Sequence, residues 1–167
     1  NADKLILAGV GHFSKAMENI RSLNILDTLN QKVKNDKTPV FGICLGMQLF
    51  SNYSEEGATE GLGWIDGEIV KFNFPRGSNF RVPHVGWNRL KFNKSHKFFD
   101  NIPSDHSYYF THSYFFKCNY SDEIAQTDYG INFCSVVSKS NVFGTQFHPE
   151  KSHNFGLAFL ETFLEED

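Results

Sequence analysis

The chain has 167 residues, 40% of them hydrophobic and 18 of them phenylalanine, which is enough to bury a sizeable core and is read as a single domain over 1–167. A formal net charge of -3 without a long basic run argues against a nucleic-acid surface. No apolar stretch approaches the roughly 20 residues of a membrane helix. No signal-peptide pattern opens the sequence, and the three cysteines, Cys44, Cys118 and Cys134, form an odd set without metal-ligand spacing. Together these features suit a reduced, cytoplasmic protein that binds neither metal nor membrane.

In chain order, Lys4 to Leu7 reads as a strand, followed by the glycine-containing loop Ala8-Gly9-Val10-Gly11-His12-Phe13. Such a loop can turn backbone N–H groups toward a ligand, although Gly-x-Gly alone equally marks a plain strand-to-helix turn. Ser14 is the expected cap of a helix with Met17 and Ile20 on one face, and Leu26, Leu29 and Val33 mark a second helical pattern. A β-branched and aromatic run at Thr38, Val40, Phe41 and Ile43 then ends in Gly42-Ile43-Cys44-Leu45-Gly46, and an apolar helical pattern starts at once. Strand, helix, strand, helix predicts an α/β fold with a mainly parallel sheet and ligands at the carboxyl ends of its strands.

Beyond this point Gly57 to Gly67 is expected to be a structural turn passage leading to a strand over Glu68 to Phe72. Pro83-His84-Val85-Gly86-Trp87-Asn88 reads as a loop between strands, fitting either a packed turn or a contact surface. Tyr108, Phe110, His112, Tyr114 and Phe116 alternate in strand period and are expected to be mostly core. Cys118 and Cys134 fall in or beside strand-like runs and are read as inert. Asn141 to Phe147 reads as a strand delivering His148-Pro149-Glu150, and Phe155, Phe159, Leu160 and Phe163 form the core stripe of a last helix.

The paired glycines around Cys44 have the form of a nucleophile elbow, a sharp strand-to-helix turn in which flanking side chains would collide with backbone. At a helix N-terminus the thiol, with an ordinary pKa of about 8.5, is expected to shift toward thiolate. His148 lies at the carboxyl end of its strand, on the same sheet edge as Cys44. Proline at 149 biases His148 to extended geometry, which would put Glu150 on the same side to orient the imidazole. Nucleophile, base and orienter are thereby available.

Gly-Ile-Cys-Leu-Gly-Met-Gln at 42–48 with Gln-Phe-His-Pro-Glu-Lys-Ser at 146–152 resembles the class I, triad-type glutamine amidotransferases. Within that class, Gly9 to Phe13, Pro83 to Asn88 and Thr111-His112-Ser113-Tyr114 resemble the glutaminase subunits of imidazole glycerol phosphate synthase. The resemblance runs nearly end to end. It implies a flavodoxin-like, doubly wound sheet flanked by helices, in which the family's first strand and helix are missing ahead of Lys4.

It further implies a catalytic triad of Cys44, His148 and Glu150, with an oxyanion hole from Gly9, Val10, Gly11 and Leu45. The glutamine pocket would map onto Gly46, Gln48, Ser113 and Tyr114. No cofactor is implied. The implied partner is a (β/α)₈ synthase subunit that receives ammonia through a channel, with His84, Trp87 and Lys151 as interface candidates. Ala8 departs from the family's usual proline and leaves the oxyanion loop less restricted in φ.

Other readings remain at this stage. A paralogous subunit could supply ammonia for amidation of a surface sugar, since the acceptor belongs to the partner. A thiol peptidase or γ-glutamyl hydrolase on a similar elbow is disfavoured by Gln48 and by Thr111 to Tyr114. A catalytically silent binding subunit is disfavoured by the intact triad.

Overall fold

A computed structural model describes residues 2–96, 99 and 106–165. Its central feature is a set of three parallel strands, β1 (Leu5–Gly9), β2 (Val40–Cys44) and β12 (Val142–Thr145), with β2 in the middle. Every residue of β2 and β12 is buried, which explains why both read as unbroken apolar or small-residue runs rather than as alternating ones. Register places Gly9 beside Cys44, so the loop after β1 and the elbow after β2 open on the same edge.

Helices cover both faces of these strands. On one side α1 (Phe13–Ser22) buries Phe13, Met17 and Ile20, and α2 (Leu26–Asn30) runs into a π-helical turn, Gln31–Asn35, that buries Val33. The single turn α3 (Leu45–Gln48) packs Met47 into the same cluster. On the other side α4 (His153–Glu165) buries Phe159 and Phe163 against Phe41, Phe143 and Phe147. This is the doubly wound α/β arrangement. Among the described residues no helix is long and apolar enough to cross a membrane.

Outward from β12 the sheet changes character. It continues through β11 (Asn132–Lys139), β9 (Tyr114–Cys118) and β5 (Gly67–Lys71) to the two-residue strands β3 (Tyr53–Ser54) and β4 (Thr59–Glu60). β10 (Glu123–Asp128) joins β11 and β7 (Lys91–Phe92), while β6 (His84–Arg89) and β8 (Ser107–His112) form a separate pair. The expected parallel pairing thus holds for the strands that carry the site and, elsewhere, for β3 with β5. The other pairs are antiparallel. The cause is connection length: β10, β11 and β12 follow one another through turns of two or three residues, with Gly130 and Ser140 at positive φ, and turns that short can only reverse the chain.

Two local expectations are revised. Ser14 does not cap α1; the Phe13 N–H donates instead to Glu56 Oε2 at 2.8 Å, a carboxylate brought in from the β3–β4 loop. The stretch 83–88 is not a loop, because His84–Arg89 is strand β6, in which Val85 and Trp87 face outward and His84 inward.

Candidate active site

Cys44 closes β2 with φ 52° and ψ -107°, a conformation that an L-residue holds only when its surroundings force it. The force comes from close packing on both sides. A Cβ at Gly42 would lie 2.5 Å from the Phe50 ring and 2.6 Å from the Met47 nitrogen, and one at Gly46 would overlap the main-chain carbonyl of Leu7. The flanking glycines therefore let α3 press onto β1 and β2, and the strained residue between them projects its sulfur into a cavity of about 340 Å³. Val10, Gly11, Leu45, Gln48, Ser113 and Tyr114 line that cavity with Cys44. Gly46 does not; it faces Leu7 and supports the elbow from behind.

The thiol is not a standing thiolate. Burial pushes Cys44 up to about 11, and the Leu45 N–H directed at the sulfur only partly offsets this. The helix expected to depress its pKa is one turn long, too short to build a large macrodipole. At rest the S–H faces the Thr111 carbonyl at 4.0 Å, and Gln146 Nε2 approaches the sulfur at 3.6 Å. A protonated thiol is a weak nucleophile, so reaction at this sulfur would need a base.

His148 has a base's geometry. It follows β12 in extended conformation, as its position before proline requires, and Pro149–Lys151 then form a 3₁₀ turn with proline at its start. That turn, rather than a continued extended segment, brings the Glu150 carboxylate back to His148 Nδ1 at 2.8 Å. A carboxylate only accepts, so Nδ1 is the donor, and in the neutral ring Nε2 is left with the lone pair. His148 Nε2 is buried and has no hydrogen-bond partner among the described residues, whereas the Glu150 side chain is 45% exposed. The backbone of His148 is clamped as well: its N–H donates to Tyr109 O, and its carbonyl accepts from Ser152 Oγ at 2.6 Å. The same Ser152 oxygen accepts the Tyr109 N–H at 3.0 Å.

The interface candidates separate. Trp87 is 48% exposed and stacks on His153, with ring centroids 4.9 Å apart. Lys151 is exposed, with its ammonium over the Tyr109 ring. His84, by contrast, is buried between the Phe110 and Tyr129 rings, and its Nδ1 meets His112 Nε2 at 3.1 Å. It belongs to the core, because strand alternation turns it inward where Val85 and Trp87 turn out.

This histidine pair has a pH consequence. Burial holds His84 down to about 4 and His112 down to about 3, against an ordinary 6.5. Below that ordinary value the unfolded chain binds protons that the folded chain refuses. The stability associated with the neutral pair is therefore complete above pH 6.5 and is lost as pH falls through the folded-state values. Urea titrations are expected to show unfolding free energy dropping between roughly pH 7 and pH 5, by on the order of 1–2 kcal/mol for each histidine. Constant or rising stability across that interval would contradict the assignment.

Gln146, Thr111 and Ser152 stood inside the quoted motifs without a role of their own, and Glu56 was not singled out at all. Gln146, Thr111 and Ser152 reach the site through strand register and a turn, and Glu56 through a loop that folds back onto α1. Gln48 was legible, but its amide donates to Tyr114 O and Gln146 Oε1, both at 3.0 Å, so it shapes the pocket wall through those two bonds.

Comparison with known proteins agrees with this geometry. The family model "Glutamine amidotransferase class-I" matches residues 1–166. The chain is 47% identical over 166 residues to imidazole glycerol phosphate synthase subunit HisH 2 of Methanococcus maripaludis, covering 99% of this chain and 81% of that one. It is 44% identical to subunit HisH 1 of Campylobacter jejuni, covering 98% and 81%. Among solved structures, a glutamine amidotransferase superimposes with a TM-score of 0.71 at 19% identity, covering 96% of this chain and 79% of that one. The glutaminase domain of Trypanosoma brucei CTPS gives 0.62 at 19% identity, covering 100% and 73%, and both likenesses speak to fold alone. The chain belongs to the class-I glutamine amidotransferase family and, within it, to the HisH subunits of imidazole glycerol phosphate synthase.

Proposed function

We propose that this chain hydrolyses the side-chain amide of glutamine at Cys44 and passes the ammonia to a (β/α)₈ synthase subunit that forms imidazole glycerol phosphate. The observation that carries the proposal is the strained Cys44 elbow at the carboxyl end of β2, with the His148–Glu150 pair following the adjacent parallel strand β12 at the same sheet edge.

In the proposed reaction His148 Nε2 takes the Cys44 proton as the sulfur attacks the carboxamide carbon. The tetrahedral oxyanion is met by the Leu45 N–H and by N–H groups of the Gly9 to Gly11 loop, of which Val10 and Gly11 line the cavity. His148 then returns the proton to the departing nitrogen, and ammonia leaves a γ-glutamyl thioester. Water, deprotonated by His148, attacks that thioester and releases glutamate and the free thiol. Glu150 holds the imidazole in the required tautomer throughout. Gln48, Ser113 and Tyr114 form the wall that would receive the amino-acid end of glutamine.

Gly11, at φ 127°, gives the oxyanion loop a peptide that can rotate, so turnover is proposed to depend on whether its N–H groups face the cavity. The exposed Trp87 and Lys151 lie on the side of the molecule that carries His148 and would meet the synthase.

Glu150→Gln tests the triad. An amide in place of the carboxylate no longer fixes the proton on Nδ1, and kcat for glutamine hydrolysis is expected to fall by about 10²–10⁴-fold with little change in KM. A loss smaller than about threefold would remove Glu150 from the mechanism.

A further inference from the structure

We infer that Gln146 is a positioning residue for the nucleophile: its buried side-chain amide holds Cys44 Sγ, supports the thiolate as it forms, and ties the sulfur to Gln48. The inference rests on the reading of Cys44 as the nucleophile. Gln146 is fully buried, with Nε2 3.6 Å from Cys44 Sγ and Oε1 3.0 Å from Gln48 Nε2.

The orientation of both amides follows from a main-chain group. Tyr114 O can only accept, and it receives Gln48 Nε2 at 3.0 Å and His112 Nδ1 at 2.8 Å. Gln48 must therefore turn its NH₂ toward Tyr114, and the second proton of that NH₂ meets an oxygen on Gln146. The NH₂ of Gln146 is left facing the sulfur. With Nδ1 of His112 donating, its neutral Nε2 accepts from His84 Nδ1–H at 3.1 Å, so the set ends in the buried histidine pair. A position in β12's continuation that looks like core filler thus delivers a hydrogen-bond donor to the reacting atom.

The electrostatic setting gives that donor a task. Glu150 and Lys151, just after His148 in the segment following β12, act on the sulfur, and His112 from β8 and Glu56 from the β3–β4 loop line the same cavity. Glu150 disfavours the thiolate and Lys151 favours it; the hydrogen bonds from Leu45 N–H and Gln146 also favour it. In a water-poor cleft a neutral donor aimed at a forming anion contributes without a desolvation cost of its own charge.

The test is the pH profile of Cys44 alkylation by iodoacetamide, followed on the Cys44 peptide by mass spectrometry in the full-length chain. Between roughly pH 7 and pH 9 the thiol is the main form and the rate tracks the thiolate fraction. Gln146→Met, similar in shape but without a donor, is expected to run about tenfold below the wild type across that range. Its kcat for glutamine should fall by about as much, with KM within about twofold. Gln146→Glu keeps an oxygen for Gln48 but sets a carboxylate against the sulfur, and should alkylate more slowly still. Cooperative thermal unfolding of each variant confirms that it folds, and the Glu variant decides the matter if the Met variant does not. A wild-type alkylation profile in either folded variant overturns the inference. Retained glutamine hydrolysis in Cys44→Ala would remove the nucleophile assignment instead, and leaves the alkylation profiles free to report the contact.

Discussion

Cys44→Ala is expected to reduce glutamine hydrolysis by on the order of 10⁴–10⁶-fold, while ammonia supplied in solution still sustains synthesis by the partner subunit. The size of the loss follows from the arrangement around the elbow. In the proposed mechanism His148 and Glu150 act only through the sulfur, so without it they have nothing to deprotonate or protonate. The oxyanion donors have no covalent intermediate to stabilise. Rescue by ammonia would separate the two halves of the proposed reaction, in which the acceptor chemistry belongs to the partner. The comparison requires the complex with glutamine in one arm and an ammonium salt in the other. A variant defective in both arms would indicate damaged assembly rather than lost chemistry, and one active in both would contradict the assignment.

Gly46→Ala is expected to destabilise the chain by about 3 kcal/mol, the upper end of overpacking costs, with loss of activity alongside. The added methyl group would overlap the Leu7 carbonyl, a main-chain oxygen inside the β1–β2 ladder that cannot rotate away. Relief requires α3 to lift or β1 to shift, and β1 leads directly into the oxyanion loop. Gly9→Ala provides the control, since its Cβ would meet Leu45 at an ordinary 3.6 Å. Urea midpoints of the two variants measure the difference. A Gly46→Ala midpoint equal to that of Gly9→Ala would show that the elbow has more slack than its packing implies.

The elbow was legible because its requirement is local. Two small residues, a nucleophile and a following apolar helix pattern lie within one short segment, and the geometry shows why each glycine is needed. The contact of His148 with Glu150 was legible but not its shape, since proline opens a 3₁₀ turn rather than prolonging the strand. The same locality explains the misreading of the thiol: the sequence signals a helix start, but the burial that dominates Cys44 comes from β8 and β12, far away in the chain. His84 was misplaced because a Pro-His-x-Gly segment looks like a turn, and only pairing with β8 makes it a strand whose alternation points the imidazole inward. Gln146 opened the 146–152 motif, but its contact with the sulfur was not foreseen, for a related reason. A polar residue after a buried strand has no distinctive spacing, and its meaning arises only where two amides and a main-chain carbonyl meet. The sheet's antiparallel half was underestimated because short turns at Gly130 and Ser140 outweigh the βαβ pattern set by the first half of the chain.

The most direct test of the central claim is to trap the intermediate. Full-length protein in complex with its synthase is mixed with glutamine, quenched in acid during turnover, and digested for mass spectrometry of the Cys44 peptide. A γ-glutamyl group is expected on Cys44 that disappears as glutamine is exhausted, and that persists in a His148→Ala variant acylated with an activated glutamyl ester. Glutamine consumption with Cys44 unmodified and fully available to iodoacetamide would contradict it.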